Sequence, residues 1–294
     1  MAENHPTEAS GYLISLARQL AQVYTTLPTI RAILLTGSAS EGVSDFYSDL
    51  DIILYYDTLP SEADLARAAE HNQGVNPAPI APRQDDQYAE HYVVNGVECQ
   101  FGHATVAAWE KDIASVLDQH EVASPIQKAL SGMDEAIPLY GEPLIRQWQA
   151  RLADYPDALA QAMAQHYLDT FAYWGLQERL KTRDATIWYT EMLIHTAHAL
   201  LGTLAGLNHL YFTTFQFKRM RKFVEKMTIA PPDCADRLEA LFHVDAATGA
   251  AESRLLMEQT LAFVEQHLPQ VDMSKAKARL AYQPQAWTPV SDKS

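Results

Sequence analysis

The sequence predicts an α+β chain in two parts: a small mixed β-sheet domain with flanking helices, then an all-α helical-bundle domain. Three observations carry this. Short apolar strand patterns alternate with helical ones up to about Tyr140. Asn95-Gly96 falls between two strand patterns and is the strongest short hairpin signal available. Beyond Tyr140 the strand signals stop, and helical segments follow one another to about His267.

Taken in order, Gly11 to Tyr24 has helical spacing, with Leu13, Leu16, Leu20 and Val23 on one stripe. Pro28 biases Leu27 away from helical backbone, so this helix stops by about Thr26. Arg31 to Leu35 is a short apolar run ended by Thr36-Gly37-Ser38 and reads as a buried strand. Glu41 to Ser48 is a loop, and Asp49 to Tyr56 a second strand. Ser61 caps a helix running to His71. Gln73 to Asp86, rich in Pro, Asn and Gln, reads as a loop. Tyr88 to Val94 and Val97 to Phe101 form the hairpin, and Thr105 to Leu117 returns to helix.

The helical part comprises Ala158 to Lys181, Ala185 to Leu207, Gln216 to Lys226 and Ala251 to Leu268. A boundary is expected near Gly141-Glu142-Pro143. This gives residues 1–140 as the sheet domain, 141–270 as the helical domain and 271–294 as a loosely packed tail with several Pro and Lys.

At 294 residues and 48% apolar, the chain can bury a sizeable core. Its net charge of −15 repels polyanions, so no long nucleic acid is expected as partner. Metal ions or polycationic small molecules suit it better. Cys99 and Cys234 have neither metal-site nor disulfide-framework spacing, which fits a cytoplasmic setting. Met1 to Ser10 has no apolar signal core, and the apolar stretch Met192 to Leu207 is too short to span a bilayer, so no membrane partner is expected.

The chemistry concentrates in Leu35-Thr36-Gly37-Ser38 and Asp49-Leu50-Asp51-Ile52. Residues i and i+2 of a strand share a face, so Asp49 and Asp51 project side by side while Leu50 and Ile52 enter the core. Two adjacent carboxylates repel unless a cation or proton lies between them. Mg²⁺ favours such oxygen ligands and completes its shell with phosphates and water. Gly37 lets backbone approach a phosphate closely, and its N–H and the Ser38 hydroxyl can donate to phosphate oxygens. Glu98, flanked by Val97 and Cys99 on the next strand, fits as a third acid; Gln100 shares its face. Three carboxylates can hold two Mg²⁺ ions, one activating an acceptor hydroxyl and one holding a triphosphate.

These two segments resemble the signature of the nucleotidyltransferase superfamily typified by DNA polymerase beta, and within it the aminoglycoside and lincosamide nucleotidyltransferase-like branch. The resemblance covers Ala32 to Tyr55 strongly, extends to about Leu117, and is architectural beyond. It implies a catalytic mixed-sheet domain and a helical substrate-binding domain. It implies nucleoside triphosphate, expected to be ATP, as substrate, with AMP passed to a hydroxyl of a small molecule, for which a cationic one such as an aminoglycoside is a candidate. Gly37 and Ser38, with Ser48 just before the acid pair, would bind the nucleotide. Asp49 and Asp51 would bind metal, and Glu98 would be metal ligand or general base.

In the helical part, Lys218, Arg219, Arg221 and Lys222 cluster after an aromatic run; Lys218 is the candidate for phosphate contact, set against an ordinary solvated helix face. Tyr167, Tyr173, Trp174, Trp188 and Tyr189 read as core before cleft. Glu178, Asp184 and Glu191 are acids of the same region, and His195 and His198 lack a third ligand for zinc. An alternative function is a nucleotidyltransferase-type antitoxin with a HEPN-like helical domain acting on protein or RNA, for which Arg237 and His243 have a suitable spacing but Leu238 does not fit. A monomer or homodimer is expected.

Overall fold

A computed structural model of the protein describes residues 6–123, 125–173, 176 and 183–288. The chain is α+β and forms two compact units: Met1–Gln119 with Ala129–Asp154, and His120–Lys128 with Tyr155–Ser294. Trp174, Glu178 and the end of the predicted helix Ala158 to Lys181 lie outside the described residues.

The first unit is built on a mixed six-stranded sheet of order β3-β4-β5-β2-β1-β6. The strands are β1 (Ile30–Thr36), β2 (Leu50–Tyr56), β3 (Val75–Ala81), β4 (Gln87–Val94), β5 (Val97–Thr105) and β6 (Ile137–Tyr140). β1 and β2 pair antiparallel, whereas β2 and β5 run parallel. Helix α1 (Glu8–Tyr24) precedes β1 and the short α2 (Gly37–Ser40) follows it; α3 (Glu62–His71), α4 (Val106–Leu117), α5 (Gln127–Ser131) and α6 (Glu142–Ala153) come later.

One sheet face is the main core. Leu50, Ile52, Leu54 and Tyr56 of β2 meet Leu13, Leu16 and Leu20 of α1 and Leu65 and Ala68 of α3, all buried. The period-2 pattern of β2 and the helical stripe of α1 interlock here, removing apolar area from water on both sides. On the opposite face, α4 and α6 pack around Tyr55, whose ring lies 5.5 Å from Trp109 and 4.7 Å from Trp148. The residues from Gly141 onward that form α6 therefore belong to the first unit. Asn95 and Gly96 both take positive φ, 52° and 81°, the conformation a two-residue turn between twisted strands requires.

Two strands depart from the expectation. Val75–Ala81, read as a loop, is β3; its register against β4 shifts between Val75 and Ala78 and between Pro79 and Ala81. Pro77 and Pro79 suppress the strand signal, yet proline is tolerated at a sheet edge, which is where β3 lies. β6 closes the other edge against β1, with Leu35 opposite Ile137. Its four residues include Pro138 and leave little pattern to read.

The second unit is helical. Its helix α7 (Asp157–Thr170) packs on the long helix Thr186–Leu207, where Gly202 faces the Tyr167 ring and Gly206 faces Met163. From Thr196 to Leu207 nearly every side chain is buried, as expected of an apolar helix without a polar face. The predicted helix Gln216 to Lys226 divides into a 3₁₀ turn, Thr214–Arg219, and a helix, Met220–Glu225. The helix Ala246–His267 is capped by Asp245, whose carboxylate accepts from Ala247 N and Thr248 N. The stretch beyond Met273 is not loose throughout: Ser274–Ala281 is a helix with Ala276 and Leu280 buried. The Arg279 guanidinium donates to the Phe171 carbonyl, and Arg254 to the Leu280 carbonyl, which holds it down. Among the described residues no helix is long and apolar enough to cross a membrane.

Candidate active site

β1 ends in a turn that puts Gly37 beside the start of β2. Thr36 pairs with Asp51 across the two strands, and Gly37 follows at φ 71°, in the left-handed region that suits glycine. A Cβ at Gly37 would run into the Asp51 carboxylate, whose carboxyl carbon would then be 3.3 Å away. The backbone at Gly37 is therefore pressed directly against one acid of the pair. Asp49 immediately precedes β2, and both acids are half-buried while Leu50 and Ile52 are fully buried on the far face.

The turn after Gly37 is fixed by a chain of hydroxyl contacts. Ser38 Oγ lies 2.9 Å from Ser44 Oγ, the Ser44 N–H donates to Ser10 Oγ, and Thr7 Oγ1 donates to the Ser44 carbonyl at 2.7 Å. Thr7 also caps α1, so the first helix anchors the turn. Ser48 is occupied locally: its hydroxyl donates to Asp45 Oδ1 and accepts from the Asp45 N–H, each at 3.0 Å. Between these serines Phe46 and Tyr47 stand 82% and 99% exposed, on the loop that leads into Asp49.

The parallel pairing of β2 with β5 sets Leu50 opposite Cys99 and Asp51 opposite Gln100. Gln100 and Glu98 thus share the face of the acid pair. Gln100 Nε2 donates to Asp49 Oδ2 at 3.0 Å and lies 3.4 Å from Glu98 Oε1, standing between the two carboxylates. One strand further, His91 pairs with Gln100, and its Nδ1 is 3.6 Å from Glu98 Oε1. That ring nitrogen is buried and has no hydrogen-bond partner among the described residues. Gln100 and His91 extend the site beyond the expected residues. Their pairing with each other is legible in the sequence once the turn is accepted, since counting outward from Asn95-Gly96 pairs Val94 with Val97 and so His91 with Gln100; their place beside Asp49 depends on β5 lying next to β2.

Among the described residues, no group of three or more His, Cys, Asp or Glu side chains is gathered so as to hold a metal ion by itself. The donor set on this face is the Asp49–Asp51 pair, with Glu98 across Gln100. Hard carboxylate oxygens in a pair, beside backbone that can take a phosphate, fit Mg²⁺, which draws its remaining ligands from phosphate and water.

The other candidates lie in the second unit. Lys218 sits in the 3₁₀ turn, its ammonium 5.9 Å from the Phe215 ring centroid. Of its basic neighbours, Arg221 is bound to Asp236 and Glu239. Tyr167, Tyr173 and Tyr189 are buried, in keeping with a core reading, whereas Trp188 is half-buried. Arg237 is engaged by Glu252, Gln259 and the Pro232 carbonyl, ties between helices Cys234–Ala240 and Ala246–His267. Both cysteines are buried, which pushes the Cys99 thiol up to about 12 and the Cys234 thiol up to about 11, so neither is a thiolate nucleophile at neutral pH.

No protein-family model matches the chain, and no curated protein matches it. Among solved structures, a nucleotidyltransferase-like protein from Exiguobacterium sibiricum 255-15 is similar, with TM-score 0.38 and 11% identity over 87% of this chain and 78% of that one.

Proposed function

We propose that the protein moves a nucleoside monophosphate, AMP by preference, from a nucleoside triphosphate to a hydroxyl of a small molecule and releases pyrophosphate. The observation that carries this reading is the Gly37 backbone against the Asp51 carboxylate, with Asp49 on the same side of the sheet. A phosphate cradle and a carboxylate pair are what such a transfer demands of a protein. Asp49 and Asp51 would hold Mg²⁺, which when bound supplies charge neutralisation to the triphosphate and leaving pyrophosphate.

The chain's own residues position the rest. The Gly37 N–H and Ser38 hydroxyl donate to phosphate oxygens, the latter on a turn already fixed through Ser44. Gln100 orients Asp49 by donating to Oδ2, leaving its other oxygen for the cation. Glu98, exposed and one strand away, takes the proton of the attacking hydroxyl on its carboxylate. Phe46 and Tyr47 offer exposed rings to the acceptor. A polycationic acceptor such as an aminoglycoside suits a chain of net charge −15.

The test is a pyrophosphate-release assay with Mg²⁺, the common triphosphates and a panel of hydroxyl acceptors. Turnover should require both Mg²⁺ and acceptor, and Asp51→Asn should lower it by about a hundredfold or more. Release that survives Asp51→Asn removes the assignment. Glu98→Gln should lower kcat while leaving the Mg²⁺ dependence in place; a shift in Mg²⁺ dependence instead would make Glu98 a ligand.

A further inference from the structure

A serine hydroxyl carries one hydrogen and turns about its C–O bond, so Ser38 can donate to a phosphate only if that hydrogen is not spent elsewhere. The group that decides this lies behind the turn. Ser44 is 3% exposed, and among the described residues its hydroxyl has one partner, Ser38 Oγ at 2.9 Å. Ser38 itself is half-buried. One hydrogen lies between the two oxygens. Were Ser38 to give it, the buried Ser44 hydrogen would lack an acceptor and Ser38 would have none left for a phosphate. With Ser44 giving it, the buried hydroxyl is paired and the Ser38 hydrogen stays available.

Ser44 is held in place from both sides of its own backbone. Its N–H donates to Ser10 Oγ at 2.9 Å, and its carbonyl accepts from Thr7 Oγ1 at 2.7 Å. Ser10 is fully buried, and its hydroxyl lies 2.8 Å from that of Thr7. The turn is already closed by backbone: the Val43 N–H donates to the Ser38 carbonyl at 3.1 Å, and the Thr7 N–H to the Gly42 carbonyl at 3.1 Å. The Ser44 hydroxyl is not needed for that closure. What it adds is a donor aimed at Ser38 Oγ.

We propose that Ser44 is a positioning residue: it donates to Ser38 Oγ and so keeps the Ser38 hydrogen for the nucleotide phosphate, with Thr7 and Ser10 holding it there. This rests on the nucleotide reading above. Two hydroxyls in series polarise each other, so Ser38 is the stronger donor to an anion while it accepts from Ser44. The effect of Ser44 on the phosphate passes through the Ser38 hydroxyl alone, which separates it from a plain buttress of the turn.

Calorimetric titration of the whole chain with ATP and Mg²⁺, without an acceptor, tests this. Ser38→Ala should bind ATP about tenfold more weakly than the wild type, and Ser44→Ala about fivefold more weakly. Adding Ser44→Ala to Ser38→Ala should weaken binding no further. Ser44→Cys keeps the size of the side chain but donates weakly; it should match Ser44→Ala, and it decides the matter if Ser44→Ala does not fold. Wild-type affinity in Ser38→Ala, Ser44→Ala or Ser44→Cys, or an equal loss from Ser44→Ala with and without the Ser38 hydroxyl, would each overturn the proposal while leaving ATP binding in place. A wild type that shows no saturable heat with ATP up to on the order of 10 mM would instead remove the nucleotide reading, and this inference with it.

Discussion

At Gly37 a single hydrogen in place of a side chain decides whether the turn and the acid pair can coexist. Its φ of 71° disfavours any other residue, and a Cβ there meets Asp51. Gly37→Ala should cost about 1 kcal/mol or more from backbone strain alone and should also displace the carboxylate. Activity should therefore fall further than stability, by a pyrophosphate assay set beside urea unfolding. His103 makes a second residue-scale prediction. Burial lowers its pKa from the ordinary 6.5, so the unfolded chain takes up a proton there that the folded chain refuses. Stability from this group is intact above about pH 6.5 and is lost as pH falls through that value toward the folded pKa. Melting curves between pH 8 and pH 5 should show a smaller acid loss in His103→Gln than in the wild type. The acid pair and Gly37 were legible from spacing alone, because strand alternation and glycine's backbone freedom are local properties. The contact between Gln100 and Asp49 was not, because it depends on which strand lies beside β2.

Elements were readable where sequence carries its own punctuation. Ser61 and Asp64 form a reciprocal capping box at the start of α3, each side chain satisfying the other residue's backbone N–H. Ser61→Ala should destabilise by about 1 kcal/mol in chemical denaturation, with no change in the kinetics of transfer. Asn95-Gly96 likewise announced the hairpin and fixed its register through to Gln87 opposite Ala104. Both edge strands went unread for one reason. β3 and β6 contain prolines and little alternation, and they become strands only because β4 and β1 offer unsatisfied backbone partners. The helix Ser274–Ala281 is a similar case: its own mean hydropathy is low, and its order comes from contacts to residues more than twenty positions away.

At the scale of the whole molecule, the acidic balance carries a prediction of its own. With a net charge of −15, the KM for a polycationic acceptor should rise as salt is added, while that for a neutral hydroxyl acceptor should hold steady. Steady-state kinetics across ionic strengths would check this, and equal salt response for both acceptors would dismiss charge as the source of selectivity. The sequence by itself determined the α+β class, the shift to helices after the sheet and the strand face that carries Asp49 and Asp51. Each of these follows from periodicity or turn chemistry within a few residues. Only the tertiary structure decided that Gly37 backs onto Asp51, that Gln100 parts Asp49 from Glu98, and that Glu90 and His91 divide between two faces with different surroundings. The reason is that strand order is long-range: β2 meets β5, not β3, and nothing local in either strand specifies its neighbour.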